Sequence, residues 1–352
     1  LGNTVSVIKD GTVIAKSEYD GAYRVIKTID GLGNAGTKQY DGVGNVLVST
    51  DREGNATQYT YDKNYNLLKT TDAEGGVSSS AYDALGRVVS ATDENGNATA
   101  IPFDNASFMD AAPEDKGEDV RREICLTLED MGVTPESSHH SGGPGQNIID
   151  FQHSSAIQSA DDVITYKSVV KTMASRNGLT ASFAPNPIPG KDGNGFHITL
   201  TPRMQMGDCS EYFLAGILEH AAEITAILNP TADSYKRLGA FGAPEFISWS
   251  EKSRWCFAYK KEGSSTIEVR SPDSTANPYL AYAALIYAGL DGYLKKTKLP
   301  KPDLARETCG KLPKSAEEAL QIFAKSSFVR NVFPEYFVKT YIRTFGNGPA
   351  DV

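Results

Sequence analysis

Residues 40–60 read YDGVGNVLVSTDREGNATQYT, and the reading of this stretch decides the fold of the first third of the chain. GVGN and DREGN supply glycine and asparagine, which enter left-handed backbone at little cost, so each marks a turn. VLVST, and ATQYTY ending at Tyr61, alternate as half-buried strands do. The unit is a β-hairpin, too small to bury a face alone, so its neighbours must complete the packing.

The same unit recurs on both sides. Tyr-Asp stands at Tyr19, Tyr40, Tyr61 and Tyr82, 21 residues apart, and Phe103-Asp104 continues the series. Asp30, Asp51, Asp72 and Asp93 keep the period, as do Gly33, Gly54, Gly75 and Gly96; Gly2, Gly44 and Gly86 fit its phase. A fixed period of this size predicts a stacked all-β array over residues 1–103 that is already under way at the first residue. No unit has dense DxDxDG spacing, so the aspartates are expected to cap turns rather than bind calcium. The pattern YDxxGxxxxxTDxxGxxTxxxYD resembles the YD-repeat (rearrangement-hotspot) family of bacterial surface and toxin-shell proteins. That resemblance implies a structural shell or spacer.

Composition narrows the rest. The 352 residues suffice for two or three domains, and 40% hydrophobic with 22% charged residues is ordinary for a globular protein. A formal charge of −9 argues against nucleic acid or an anionic membrane as partner. No apolar run reaches the length of a membrane span, and LGNT opens the chain without a signal peptide or initiator Met, as a piece of a longer product would. Cys125, Cys209, Cys256 and Cys309 lie far apart without zinc-site spacing and read as free core thiols. These features point to the cytoplasm, whereas YD arrays are typically exported or on the surface.

After Asp104 the 21-residue phase ends and helical periodicity begins. KGEDVRREICLTLEDMG (116–132) puts Val120, Ile124, Leu128 and Met131 on one face. Further helices are predicted over 161–178, 208–228 and 278–294, the last with Pro278 in its first turn. NIIDF, TASFA, GFHITL, SRWCFAY and STIEVR are strand-like, so residues 104–352 form a mixed α+β domain. Stretches here coincide in order with one family: SFMDAAPEDKGEDVRREICLTLEDMG, ESSHHSGGPGQNIIDF, GKDGNGFH, NPTADSYKRL and IEVRSPDSTANPYLAYAALIYAGLDG. Together they resemble the catalytic domain of glutamine synthetase over about residues 104–345.

The resemblance implies ATP-dependent ligation of ammonia to glutamate through γ-glutamyl phosphate, with Mg²⁺ or Mn²⁺ neutralising the phosphates and arginines clamping the transferring group. Residue by residue, it implies metal binding by Glu268 and His197. It puts His197, Arg237 and Arg270 on the substrate, Gly193 in the substrate loop, and Arg254 towards the phosphates. Glu136 and His140 fall at nucleotide or phosphate positions. Arg237 and Arg254 would be the catalytic arginines.

Departures from the family pattern are specific. Ser141 and Ile148 stand where two metal-binding glutamates belong, Gly242 where the flap glutamate belongs, and Tyr259 where an arginine belongs. Hairpin repeats occupy the place of the first catalytic strand, with its two further glutamates, and the N-terminal β-grasp domain is missing. Of six expected metal ligands only His197 and Glu268 remain, a weak set for a cation that dehydrates reluctantly. Catalysis is therefore expected to be impaired, and the family's homo-oligomer is not expected. A non-catalytic nucleotide- or glutamate-binding protein, or a structural array joined to a decayed synthetase fragment, are the alternatives. His153 and His220 read as ordinary helix or surface residues.

Overall fold

The computed structural model describes residues 3, 5–9, 12–82, 86, 88–94, 98–100, 102–203, 207–240, 242–302 and 308–346. Gly2, Asp83 and Gly96 of the periodic series lie outside them. The chain divides into two compact units, Leu1–Ile101 and Pro102–Val352.

The first unit is one antiparallel sheet whose strands follow chain order: β1 (Ser6–Lys9), β2 (Thr12–Tyr19), β3 (Val25–Asp30), β4 (Ala35–Tyr40), β5 (Val46–Thr50), β6 (Ala56–Tyr61), β7 (Leu67–Thr71), β8 (Val77–Tyr82), β9 (Val88–Thr92) and β10 (Ala98–Ala100). VLVST and ATQYTY are β5 and β6. The periodic residues explain its construction. Asp30, Asp41, Asp51 and Asp62 each use Oδ1 to accept the amides two and four residues on, while Oδ2 accepts the side-chain amide of Asn34, Asn45, Asn55 and Asn66. These are turn caps. The third residue after the aspartate takes left-handed backbone: Gly33, Gly44, Gly54 and Gly75 have φ between 89° and 112°, the reason glycine recurs there, while Tyr65 adopts φ 67° at the same place after Asp62.

The tyrosines set register. Tyr40, Tyr61 and Tyr82 donate their hydroxyls to the carbonyls of Val25, Val46 and Leu67 at 2.9–3.0 Å, always fifteen residues back. Each sits opposite a bulge in the following strand, where the pairing skips one residue. Among the residues of this unit whose side chains are described, none is buried; each is half-buried or exposed.

The second unit comprises α1 (Glu118–Asp130), β11 (Pro135–His140), β12 (Asn147–Phe151), α2 (Ala156–Arg176), β13 (Ile198–Leu200), α3 (Ser210–Glu219), α4 (Ala221–Leu228), α5 (Ala232–Arg237), β14 (Trp249–Ser250), β15 (Ala258–Tyr259), β16 (Ile267–Val269), α6 (Pro278–Lys295), α7 (Ala316–Lys325), α8 (Ser327–Val332) and α9 (Glu335–Gly346). Strands β11 and β12 pair as a hairpin, and a second sheet runs β13-β16-β15-β14. A large core joins that sheet to α3, α4 and the C-terminal helices through Leu214, Ile217, Ile224, Phe257, Ile267, Leu285 and Phe323, all fully buried. A smaller one, Ile124, Leu128, Val133, Ile149, Val169 and Met173, lies between α1, α2 and the hairpin.

Several expectations change. The helix expected over 208–228 breaks at His220, because that ring is drawn inward to Glu223 and Asp291 and stacks on Phe328 with centroids 3.8 Å apart. His220 is thus a buried structural residue, not an ordinary helix or surface one. TASFA forms no strand, SRWCFAY shortens to Ala258–Tyr259, and Met131 is exposed because α1 ends at Asp130.

Candidate active site

Strand β16 shows how an alternating sequence builds a cleft wall. Ile267 and Val269 are fully buried in the core, so Glu268 and Arg270 must point the other way. On one side β13 pairs Ile198 with Val269 and Thr199 with Glu268, which sets His197 beside Arg270. On the other, β15 pairs Tyr259 with Glu268. Three residues expected at the site therefore converge by strand pairing alone.

Glu268 is their hub. One carboxylate oxygen takes Nη1 of Arg270 and lies 3.8 Å from Nδ1 of His197; the other lies 3.1 Å from Nε of Arg254. Arg254 lies over the Tyr259 ring, 5.1 Å from its centroid, so the tyrosine at an expected arginine position forms a shelf for the arginine that remains. Desolvation and the charges of Arg270, Arg237 and Arg254 push the His197 imidazole well below its usual range, leaving the ring neutral. With 40% of the side chain in solvent, the guanidinium charges carry that direction.

Arg237 closes α5, a short helix started by a reciprocal cap between Thr231 and Ser234. It is 2% exposed and donates both terminal nitrogens to the carbonyls of Ser271 and Pro272, at 2.9 and 2.7 Å through Nη2. Burial lowers its pKa to about 10, against the pull of Asp273, so it stays charged. A Cβ on Gly193 would stand 2.7 Å from Cγ of Arg237 and 2.6 Å from the Pro185 carbonyl, so only glycine lets the loop lie on this side chain. Gln146, at the hairpin turn, donates to the Gly193 carbonyl and the Asn194 side chain, both at 3.0 Å, and ties ESSHHSGGPGQNIIDF to the loop.

The remaining candidates lie elsewhere. His140, expected on the phosphate side, is fully buried: Nδ1 donates to the Ser141 carbonyl at 2.7 Å and Nε2 meets Asp104 at 2.9 Å. It presents no atom to a ligand and braces the hairpin, as Arg121 does by reaching Asp115, Ser138 and Asn147. Glu136 is exposed at the bulge that begins β11, roughly 13 Å along the strand from His140. Ile148 pairs with His139 on the hairpin, and Ser141 donates its amide to Gln146. Neither supplies a carboxylate. A cleft of about 430 Å³ runs past the Arg254 segment, lined by Gly242, Pro244, Trp249, Ser253, Trp255 and Cys256, with Trp255 78% exposed at its rim. A hollow of about 520 Å³ at Asp208, Glu211, Tyr212 and Lys298 contains none of the motif residues.

Sequence reasoning missed Asp104, Gln146 and Tyr259 as supports. The pairing of Tyr259 with Glu268 follows only from strand register, and the partners of His140 and Gly193 lie 36 and 47 residues away.

The site residues do not fit a hard divalent cation. Magnesium needs several oxygen ligands, and here the carboxylate of Glu268 is committed to two guanidinium groups while His197 offers nitrogen. Among the described residues, the group with metal-ligand geometry is Glu219, His220 and Asp291, where Lys295 already bonds Asp291 at 2.6 Å.

Comparison with known proteins gives a consistent answer. The glutamine synthetase catalytic-domain family matches residues 49–345, the second unit together with part of the sheet before it. The glutamine synthetase of Staphylococcus aureus (strain MW2) is 43% identical over 215 residues, covering 56% of this chain and 48% of that protein. That of Staphylococcus epidermidis (strain ATCC 12228) is 38% identical over 268 residues, covering 68% and 60%. The chain thus spans about half of the relatives it matches. Among solved structures, a GmaS–ADP complex superposes with a TM-score of 0.63 at 26% identity, covering 73% of this chain and 68% of the other. Plasmodium falciparum glutamine synthetase shares the fold, with a TM-score of 0.63 at 22% identity over 69% and 61% of the chains. Among the described residues no helix is long and apolar enough to cross a membrane. The cleft wall built by β13, β15 and β16, the loop held on Arg237 and these matches lead to one conclusion: the chain belongs to the glutamine synthetase family through its catalytic domain.

Proposed function

We propose that the second unit is a glutamine synthetase-family site that keeps its arginine side and has lost its metal side. Its ATP-dependent ligation of ammonia to glutamate is impaired. The observation that carries this reading is Glu268, the carboxylate expected to bind metal, held instead by Arg254 and Arg270. Ser141, Ile148 and Gly242 bring no charge from the other ligand and flap positions. Phosphoryl transfer rests largely on metal and arginine electrostatics, so half of that set supports little turnover. What Arg237, Arg254, Arg270 and the Gly193 loop can still do is hold and orient an anionic substrate.

The domain boundary at about residue 103, the assignment of the first unit to the YD-repeat family as a structural spacer, and a cytoplasmic location belong to the same proposal. A second reading, nucleotide or glutamate binding without turnover, is supported by the retained arginines and by a structural relative solved with ADP. A γ-glutamyl transfer assay with Mg²⁺ or Mn²⁺ tests both. The expected rate is near background, and turnover at the level of an intact synthetase would overturn the impairment. Calorimetry with ATP separates binding from a purely structural role. Size-exclusion chromatography is expected to show no large ring assembly.

A further inference from the structure

We infer that Glu268 serves in this chain as the counter-ion of Arg254 and Arg270 rather than as a metal ligand, and that the cleft takes up a small oxyanion of the phosphate or carboxylate class without a divalent cation. The inference relies on the family reading for the location of the cleft and on the geometry for its chemistry.

Charge is the first argument. Arg237, Arg254 and Arg270 contribute +3, Glu268 contributes −1 and the buried Asp273 beside Arg237 another −1, a net of +1 before His197 is counted. A cation entering here meets that field and must also pull Glu268 away from two guanidinium groups, whereas an anion meets the opposite balance. Glu268 is 14% exposed and satisfies one nitrogen each of Arg254 and Arg270, so it offsets one positive charge, Asp273 offsets another at Arg237, and one is left over.

Unused donors are the second argument. Nε of Arg237 and Nε of Arg270 are both buried without an acceptor among the described residues, and the Arg237 side chain as a whole is almost fully enclosed. Buried donors of charged groups are costly to leave unmade, and an oxyanion offers several acceptors at once. His197 adds a third donor. Its Nδ1 lies 3.4 Å from Nη1 of Arg270, which can only donate, so Nδ1 accepts and the ring proton sits on Nε2. A Cβ on Gly195 would stand 2.7 Å from that Nε2, so glycine leaves this edge open.

The test uses the full chain, stripped with EDTA, and follows inorganic phosphate by ³¹P line broadening and L-glutamate by calorimetry in separate arms. Saturable binding of either probe in EDTA, unchanged by added Mn²⁺, is expected; the arm that responds identifies the anion class. Glu268→Gln removes the competing carboxylate and should tighten binding about tenfold. Arg270→Gln should abolish it, and the well-exposed Arg254→Gln, which leaves the core untouched, should weaken it about threefold. Binding of both probes only when Mn²⁺ is present, or loss of binding in Glu268→Gln with its circular dichroism intact, would overturn the inference. Binding in EDTA without any response to ATP would sink the nucleotide reading while leaving this one standing.

Discussion

The two units of this chain solve the same problem in opposite ways. The hairpin sheet has no buried residue among those whose side chains are described, and it is ordered by backbone pairing, Asp-capped turns and one tyrosine hydroxyl per period. The catalytic-type unit buries Phe257, Leu214, Ile224 and Phe323 completely and hangs its site on the faces those residues leave over. A contact in the sheet touches only its neighbours, so its energetics are local. A contact in the second core is shared by many elements, and so is its loss.

That contrast can be broken by mutation. Phe257→Ala empties fully buried volume and should cost about 4 kcal/mol in denaturant unfolding of the second unit. A cost under 1 kcal/mol would mean that this core is not close-packed. Asp115→Ala leaves Arg121 buried without its partner, with an expected cost of about 3 kcal/mol. Arg121, chiefly through its hydrogen bond, holds the Asp115 carboxyl below the usual range. The stabilisation is therefore complete above the unfolded carboxylate value, about 3.9, and fades as pH falls towards the lower folded value. Acid unfolding should begin below about pH 4 in the parent, and Asp115→Asn should flatten that limb; an unchanged acid profile would remove the pair from the account.

Smaller effects belong to the sheet. Gly54→Ala forces a side chain to φ near 92° and should cost about 1–2 kcal/mol, read as faster amide exchange in β5 and β6. Tyr61→Phe removes one hydroxyl bond to Val46 and should cost about 1 kcal/mol, confined to the strands beside it. If either change raised exchange across all strands from β2 to β9, the neighbour-only view would fail.

Legibility followed the same divide. The turns at Asp30, Asp41, Asp51 and Asp62 could be read from sequence because an aspartate and the amides it accepts lie within four residues. The helix expected over 161–178, found at Ala156–Arg176, and the strand at 147–151 were legible for similar reasons. The break at His220 was not, because Asp291, which holds it, is 71 residues away. His140 looked like a site residue by motif and turned out to be a buried brace, since Asp104, 36 residues earlier, meets its ring.

Sequence by itself determined the period, the turn chemistry, the family and the absence of carboxylates at positions 141, 148 and 242, because these are matters of residue identity and short spacing. Only the tertiary structure decided what the survivors do. Glu268 and Arg270 lie two residues apart and face the same way, but Arg254 reaches them from the segment between β14 and β15 and His197 from just before β13. Whether a carboxylate is free to take a metal or is already held by arginines depends on which charges the fold brings within about 4 Å, and no linear spacing records that.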